Sequence, residues 1–253
     1  MTEGGYSVDT KKIIMVLGCL CLTLLVCGGC GLTFDKSHYA YLPGEKLDND
    51  IKPLPVIVAI NKLEDLRGRE RKEYLPLIIL PFVPYAYSHF DRPETSEKFT
   101  IKGLNPSVDF ANALLQEMKQ NNFFSDVSMV QQNYSNNADL IVTGKIYQAS
   151  IDTKITAYGL SIFGIFPWIA GLPQGKVYNE LNVQYEMRRT YDNAVVWKCE
   201  VKGVRNKFFA LFNNYSKDDP YTGMNEILRK SLRDGLSVLA EDIKHKPLEY
   251  WKH

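Results

Sequence analysis

Apolar residues are distributed along this chain in several distinct patterns, and each pattern predicts a different element. Ile13 to Phe34 is a run of 22 uncharged positions that follows Lys11 and Lys12. Leu54 to Ile60 is short, apolar and β-branched, which predicts a buried strand. Leu66 to Glu73 mixes four basic with two acidic side chains and reads as a solvated loop. Leu75 to Val83 is apolar but contains Pro76 and Pro81, with Pro84 just beyond. Proline cannot donate to a ladder, so this segment is expected as an edge strand or a packed loop.

Helical spacing begins at Asn105, an N-cap candidate followed by Pro106 at the first helical position. Val108, Ala111, Leu114, Leu115 and Met118 then share one face as far as Asn121 and Asn122. Val127 to Val130 predicts a short strand, and the alternation from Leu140 predicts a long one reaching Lys154. Leu181 to Thr190 and Ala194 to Val204 also alternate, with Asp192 and Asn193 between them, so they predict a hairpin with one wet face. Met224, Ile227, Leu228, Leu232, Leu236, Leu239 and Ile243 define the apolar stripe of a helix from about Gly223 to Lys244, and Pro247 follows its end.

This order predicts an α/β (α+β) fold: a single domain with a mixed, mostly antiparallel sheet and two amphipathic helices packed on it. The predicted organisation is a signal peptide at 1–29, with an n-region at 1–12 and an apolar stretch at 13–29. A lipidated tether at 30–53, a domain at 54–246 and a tail at 247–253 complete it.

The amino-terminal run reaches the length of about 20 residues that a transmembrane helix needs, but Gly28, Gly29 and Gly31 loosen its second half. A secretory signal uses an apolar stretch of roughly 7 to 15 residues ending in small side chains, which Ile13 to Val26 and Gly28-Gly29 match. Leu25-Val26-Cys27-Gly28-Gly29-Cys30 is similar to the lipobox of bacterial lipoproteins, with Cys27 where Leu or Val is usual. Cys30 is therefore the expected lipid attachment site, carrying diacylglycerol and a fatty acid. Cys19, after Val16-Leu17-Gly18, is a rival site, and an uncleaved signal anchor is the alternative to both. Gly31 after Cys30 is compatible with outer-membrane sorting, periplasmic face, in preference to the inner membrane.

Between Lys154 and Lys176 lie 21 further uncharged residues. Glycines and Pro167 argue against a second span, so an apolar insert at 157–175 joining two strands is expected. It could cover the sheet, contact a partner or bilayer, or line a pocket; in the contact reading Phe163, Phe166 and Trp168 are the anchors, since aromatics carry most interface energy.

Several short motifs resemble a group of uncharacterised bacterial envelope lipoproteins: the lipobox, Leu63-Glu64-Asp65-Leu66-Arg67, Ala138 to Ile146, Tyr158-Gly159-Leu160-Ser161, Gly171 to Gly175, Asn179-Glu180-Leu181 and Val195-Val196-Trp197. The domain of that group is similar to the amino-terminal domain of the Tol translocation protein and to the curli secretion lipoprotein. The resemblance implies an α/β domain held by lipid on the periplasmic side and serving assembly or transport. It carries over no catalytic residues.

Composition adds little to this picture. The 253 residues include 30 Lys and Arg, 29 Asp and Glu, and 45% hydrophobic side chains, so bulk charge does not point to nucleic acid. Of five cysteines only Cys199 lies beyond the amino-terminal segment, where it is expected as a buried structural thiol. Val142-Thr143-Gly144-Lys145 lacks the first glycine and the hydroxyl residue of a phosphate loop. His38, His89, His245 and His253 are scattered, so no metal or catalytic triad has local support, and no cofactor is expected beyond the lipid on Cys30. Asp65-Arg67 and Asp91-Arg92 read as loop ion pairs. The expected role is a non-catalytic binding or assembly module with a membrane anchor and an envelope protein partner. An accessory lipoprotein of an envelope transporter is the alternative; a carrier of apolar ligands or an enzyme ranks below both.

Overall fold

The computed structural model describes residues 39–47, 51–68, 72–75, 85–92, 104–130, 137–156, 158, 165–210 and 222–252. The elements in order are β1 (Leu54–Ile60), β2 (Glu64–Asp65), β3 (Lys72–Leu75), β4 (Tyr85–Phe90), α1 (Pro106–Asn121), β5 (Phe124–Met129), β6 (Leu140–Thr156), α2 (Ile165–Ile169), β7 (Gly175–Arg189), β8 (Val195–Phe209), α3 (Thr222–His245) and α4 (Leu248–Lys252). All the strands join one mixed sheet, as the sequence pattern implies.

The sheet is organised around β6. One edge of β6 pairs antiparallel with β7 from Leu140↔Arg189 to Ile155↔Gly175. Its other edge is shared in succession by β1 and β2, both parallel, and by β4, antiparallel. β5 adds to β1 in parallel, β3 closes the β4 side, and β8 extends β7. The ladder shifts register between Ile146 and Gln148, where Tyr147 is the extra residue. This bulge lies between the parallel and antiparallel partners on the opposite edge.

Strict alternation in β7 buries Val177, Asn179, Leu181, Val183, Tyr185 and Met187 and leaves the intervening side chains partly open. α3 lies over β7 and β8 with its predicted stripe buried from Met224 to Ile243. Two glycines permit close approach. A Cβ on Gly235 of α3 would lie 2.4 Å from the Cys199 sulfur, and one on Gly144 of β6 would lie 2.6 Å from the Gln184 carbonyl oxygen. Cys199 is thus enclosed between β8 and α3. Burial pushes its thiol up to about 12, with the negative charge of nearby Asp234 adding to the shift, which suits a structural thiol.

α1 starts and ends as predicted, but its capping differs. Asn105 is extended and its side chain makes no cap bond; the Asp109 carboxylate accepts from the Asn105 backbone N–H at 2.6 Å. Asn122 stops the helix in the left-handed region with its N–H on the Met118 and Lys119 carbonyls. The β7–β8 turn likewise places Asn193 at φ 59°, with Asp192 accepting from the Ala194 N–H.

Three segments depart from the sequence reading. Residues 39–47, expected within a tether, lie across the helices. The buried Glu117 carboxylate of α1 accepts from the Tyr41 hydroxyl at 2.6 Å and the Gly44 N–H at 2.9 Å, while Asn121 accepts from the Leu47 N–H. Residues 247–253, expected as a tail, contain α4, whose Trp251 is wholly buried and sits edge-on to Phe124. The run from Leu66, expected to be solvated, begins with Arg67 only 7% exposed and paired with Asp65, and continues into β3.

Two outcomes test this packing. Gly235→Leu forces the Cys199 side chain aside, so it is expected to lower stability by about 1–3 kcal/mol in urea unfolding; an unchanged midpoint would contradict the close approach. Glu117→Leu removes the acceptor for Tyr41 and Gly44. Amide exchange at Gly44 and Leu47 should then accelerate while the β6–β7 ladder stays protected.

Candidate functional site

The β6–β7 connection exposes several large apolar side chains within a short stretch of chain. After Thr156 the chain leaves the sheet and returns at Gly175, closed at its base by the Thr156 N–H donating to the Gln174 carbonyl. α2 is a single short turn, Ile-Phe-Pro-Trp-Ile, and Gly171 continues from it at φ 89°, a conformation that glycine adopts without strain. The Trp168 indole N–H donates to the Thr156 carbonyl at 2.9 Å, and the Tyr158 hydroxyl donates to the Pro173 carbonyl at 2.6 Å. These bonds hold the connection against the end of the sheet.

The expected contact residues therefore divide. Phe166 is 54% exposed, whereas Trp168 is half-buried and serves as a strut. Phe163 and Cys30 lie outside the described residues. Sequence reasoning passed over Ile169 and Leu172, 51% and 45% exposed, and over Phe208 at the adjoining end of β8, 55% exposed. The signal for Phe208 lay in the alternation of β8, which places it on the same sheet face as Lys202 and Val204. Lys176 sits 4.3 Å from the Phe208 ring centre and Lys154 sits 5.2 Å from that of Tyr178, so basic groups surround the base of the apolar tip.

A second grouping joins β4 to β6. His89 faces Asp152 through Nδ1 and Asp91 through Nε2, the latter at 2.6 Å. Burial pulls the imidazole pKa down, but hydrogen bonds and charge from Asp152 and Asp91 outweigh it, and the net shift is upward. Nearby, Arg92 donates to the Arg67 carbonyl, and the hydrogen-bonded Arg67 guanidinium holds Asp65 below the usual carboxylate range. The Asp65-Arg67 pair thus forms as expected, while Asp91 and Arg92 reach different partners. These groups clamp strands together: each of the His89 nitrogens faces a carboxylate that can hold its proton.

The polar face of the sheet carries a shallow depression of about 360 Å³ between the β1–β2 loop, β6 and β7, lined by Asn61, Lys62, Glu64, Thr143, Lys145, Gln184 and Glu186. Hydrogen bonds from Lys198 and Arg188 keep Glu186 ionised, with its pKa lowered. Among the described residues no group of His, Cys, Asp and Glu has the arrangement of a metal site.

No family model matches the chain, and no curated protein matches it. Among solved structures it is similar to a Xanthomonas campestris protein assigned to family DUF330, at 10% identity over 82% of this chain and 98% of that one, with a TM-score of 0.41. The PelC dodecamer of Paraburkholderia phytofirmans is 11% identical over 77% of this chain and 92% of that one, with a TM-score of 0.35. A Caulobacter crescentus protein assigned as a lipoprotein is 10% identical over 45% and 74%, with a TM-score of 0.28. These likenesses are distant and do not show the similarity to the Tol domain or the curli lipoprotein; the fold class stands on the strand registers described above.

The His89 clamp makes a pH prediction. Because its pKa in the folded chain is raised, its stabilisation is complete below the ordinary imidazole value of about 6.5 and is lost as pH rises through the higher folded value. Melting temperature should accordingly fall as pH is raised from about 6 into the alkaline range. His89→Asn should flatten that part of the profile, and an equal slope in the variant would remove His89 as its source.

Proposed function

We propose that this chain is a lipid-anchored, non-catalytic binding or assembly module of the bacterial cell envelope, held on the periplasmic face, with the outer membrane favoured over the inner. The observation that carries the reading is Leu25 to Cys30 at the end of an uncharged segment that begins after two lysines, a pattern suited to acylation of Cys30. The folded part agrees in two ways. Its best-formed cluster of titratable groups, around His89, is occupied in joining β4 to β6, and Tyr158, Phe166, Ile169 and Leu172 are exposed on one connection. No helix among the described residues is long and apolar enough to cross a membrane.

An envelope protein partner has a suitable surface in the polar face of β6, β7 and β8, where Lys145, Tyr147, Lys198 and Lys202 are exposed beside half-buried Gln184 and Glu186. Mixed charge and an aromatic rim suit a non-obligate protein contact. A role as accessory lipoprotein of an envelope transporter uses the same anchor and face and differs only in the partner.

Feeding a labelled fatty acid to cells tests the anchor. Label should enter the wild-type chain and be lost in Cys30→Ala, whereas equal incorporation in both would end the assignment. Crosslinking in intact cells from position 145 or 198, followed by mass spectrometry, should recover an envelope protein. Recovery of a transporter subunit selects the accessory role.

A further inference from the structure

We infer that the apolar tip formed by the β6–β7 connection and the end of β8 seats in the surface of the same bilayer that holds the lipid anchor, giving the domain a second membrane contact that fixes its orientation. The inference rests on the reading of Cys30 as the acylated residue and names the occupant of a surface which that reading leaves unassigned.

The path of residues 39–47 supplies the first argument. This strap runs opposite to α1, from Leu47 at Asn121, past Gly44 at Glu117, to Tyr39 against Phe110. Tyr39 also donates to Asn225 in the first turn of α3 at 2.6 Å. That turn abuts β7 at Asn179, since a Cβ on Gly223 would lie 2.5 Å from the Asn179 amide nitrogen. Asn179 is four residues from Gly175, where the connection rejoins the sheet, or about 13 Å along a strand. The first described residue of the strap therefore lies over the half of β7 from which the tip departs. Nine residue steps separate Cys30 from Tyr39, so even a fully extended chain keeps Tyr39 within about 30 Å of the lipid, and the tip lies only a further strand segment away. Had the chain been free up to Pro53, its reach would have been more than twice as long, and the tip could have faced any direction.

Side-chain chemistry supplies the second argument. Tyr158, Phe166, Ile169, Leu172 and Phe208 are exposed together, and the described tip is uncharged between Lys154 and Lys176. Lys154, Lys176 and Lys207 stand at its base, two of them over aromatic rings. Apolar side chains can enter the acyl boundary while lysines above them reach the headgroups. Each basic side chain near an anionic surface strengthens partition roughly fivefold. Since the acyl chains already supply attachment, the effect of the tip is on orientation.

The test uses the full acylated chain reconstituted in phosphatidylethanolamine and phosphatidylglycerol vesicles that contain nitroxide-labelled lipid. Trp197 and Trp251 are buried, and comparison with Trp168→Phe isolates the emission of Trp168. The expected result is quenching of Trp168 by the lipid label, and its loss in Phe166→Asp/Ile169→Asp although that chain still floats with the vesicles. An unquenched Trp168 in acylated, vesicle-bound protein overturns the inference and leaves the anchor intact. Emission that ignores the vesicles but shifts with protein concentration assigns the tip to a second copy and also overturns it. Mass analysis of the same samples reports acylation separately: quenching in a chain that lacks acyl groups on Cys30 supports the tip contact and ends the anchor reading.

Discussion

Both edges of a central strand must find hydrogen-bond partners along their whole length, and β6 is long enough that this requirement shapes the rest of the molecule. Seventeen residues at about 3.3 Å each span more than 50 Å. One edge is met by β7, nearly as long. Among the described residues no comparably long strand meets the other edge, so short strands share it in turn, parallel at Leu140 to Val142 and Lys145 to Ile146, then antiparallel from Ile151. The bulge at Tyr147 lies between these regimes. The Asp65–Arg67 pair and the His89 clamp sit on this shared edge and tie its short partners together, while α1 and α3 cover the face into which β6 and β7 point their buried side chains.

Elements that carry their own periodicity were legible in the sequence. β1, α1, β6, the β7–β8 hairpin and α3 each bury a repeating set of side chains, and their boundaries follow the pattern closely except that β7 starts six residues before Leu181 and β8 runs five residues beyond Val204. Elements defined by what they touch were not. β4 has no clean alternation and follows a proline-rich run, so only its pairing to β6 identifies it. α4 spans a single turn, too short for a helical period to emerge, and the burial of Trp251 depends on Phe124, far away in sequence. Residues 39–47 carry no sustained periodicity and so read as a tether, because their attachment to α1 is made by isolated contacts: backbone groups, a tyrosine hydroxyl and the Tyr39 and Tyr41 rings. The matching signal was Glu117, an acidic residue among the apolar positions of α1, which a buried backbone donor explains.

The exposed apolar tip was legible in part for the same reason. A stretch of 21 uncharged residues announces itself, but charge counting cannot tell an exposed aromatic from one used as a strut. Phe166 and Trp168 are separated by Pro167 alone, and the fold gives them opposite tasks. The indole N–H of Trp168 has the Thr156 carbonyl within reach because the connection turns back on its own base; the Phe166 ring has no polar atom to direct it inward. Phe208 joins the tip from a different strand, and its position follows from the β7–β8 register, in which it pairs with Lys176.

An exposed cluster of large apolar side chains is a standing hazard of self-association, and its persistence requires that something offset that cost. The core does not need these residues: α3, α1 and α4 already close the interior without them. All but Phe208 also lie beyond the last rung of the β6–β7 ladder, outside the backbone pairing. Folding and surface contact are thus carried by separate groups of residues. The strap touches both, since a segment clasped by Glu117 brings Tyr39 to the first turn of α3, over the half of β7 from which the connection departs. If residues 39–47 were loose, the chain could approach the domain from any side; with them clasped, its line of approach follows from the buried carboxylate of Glu117.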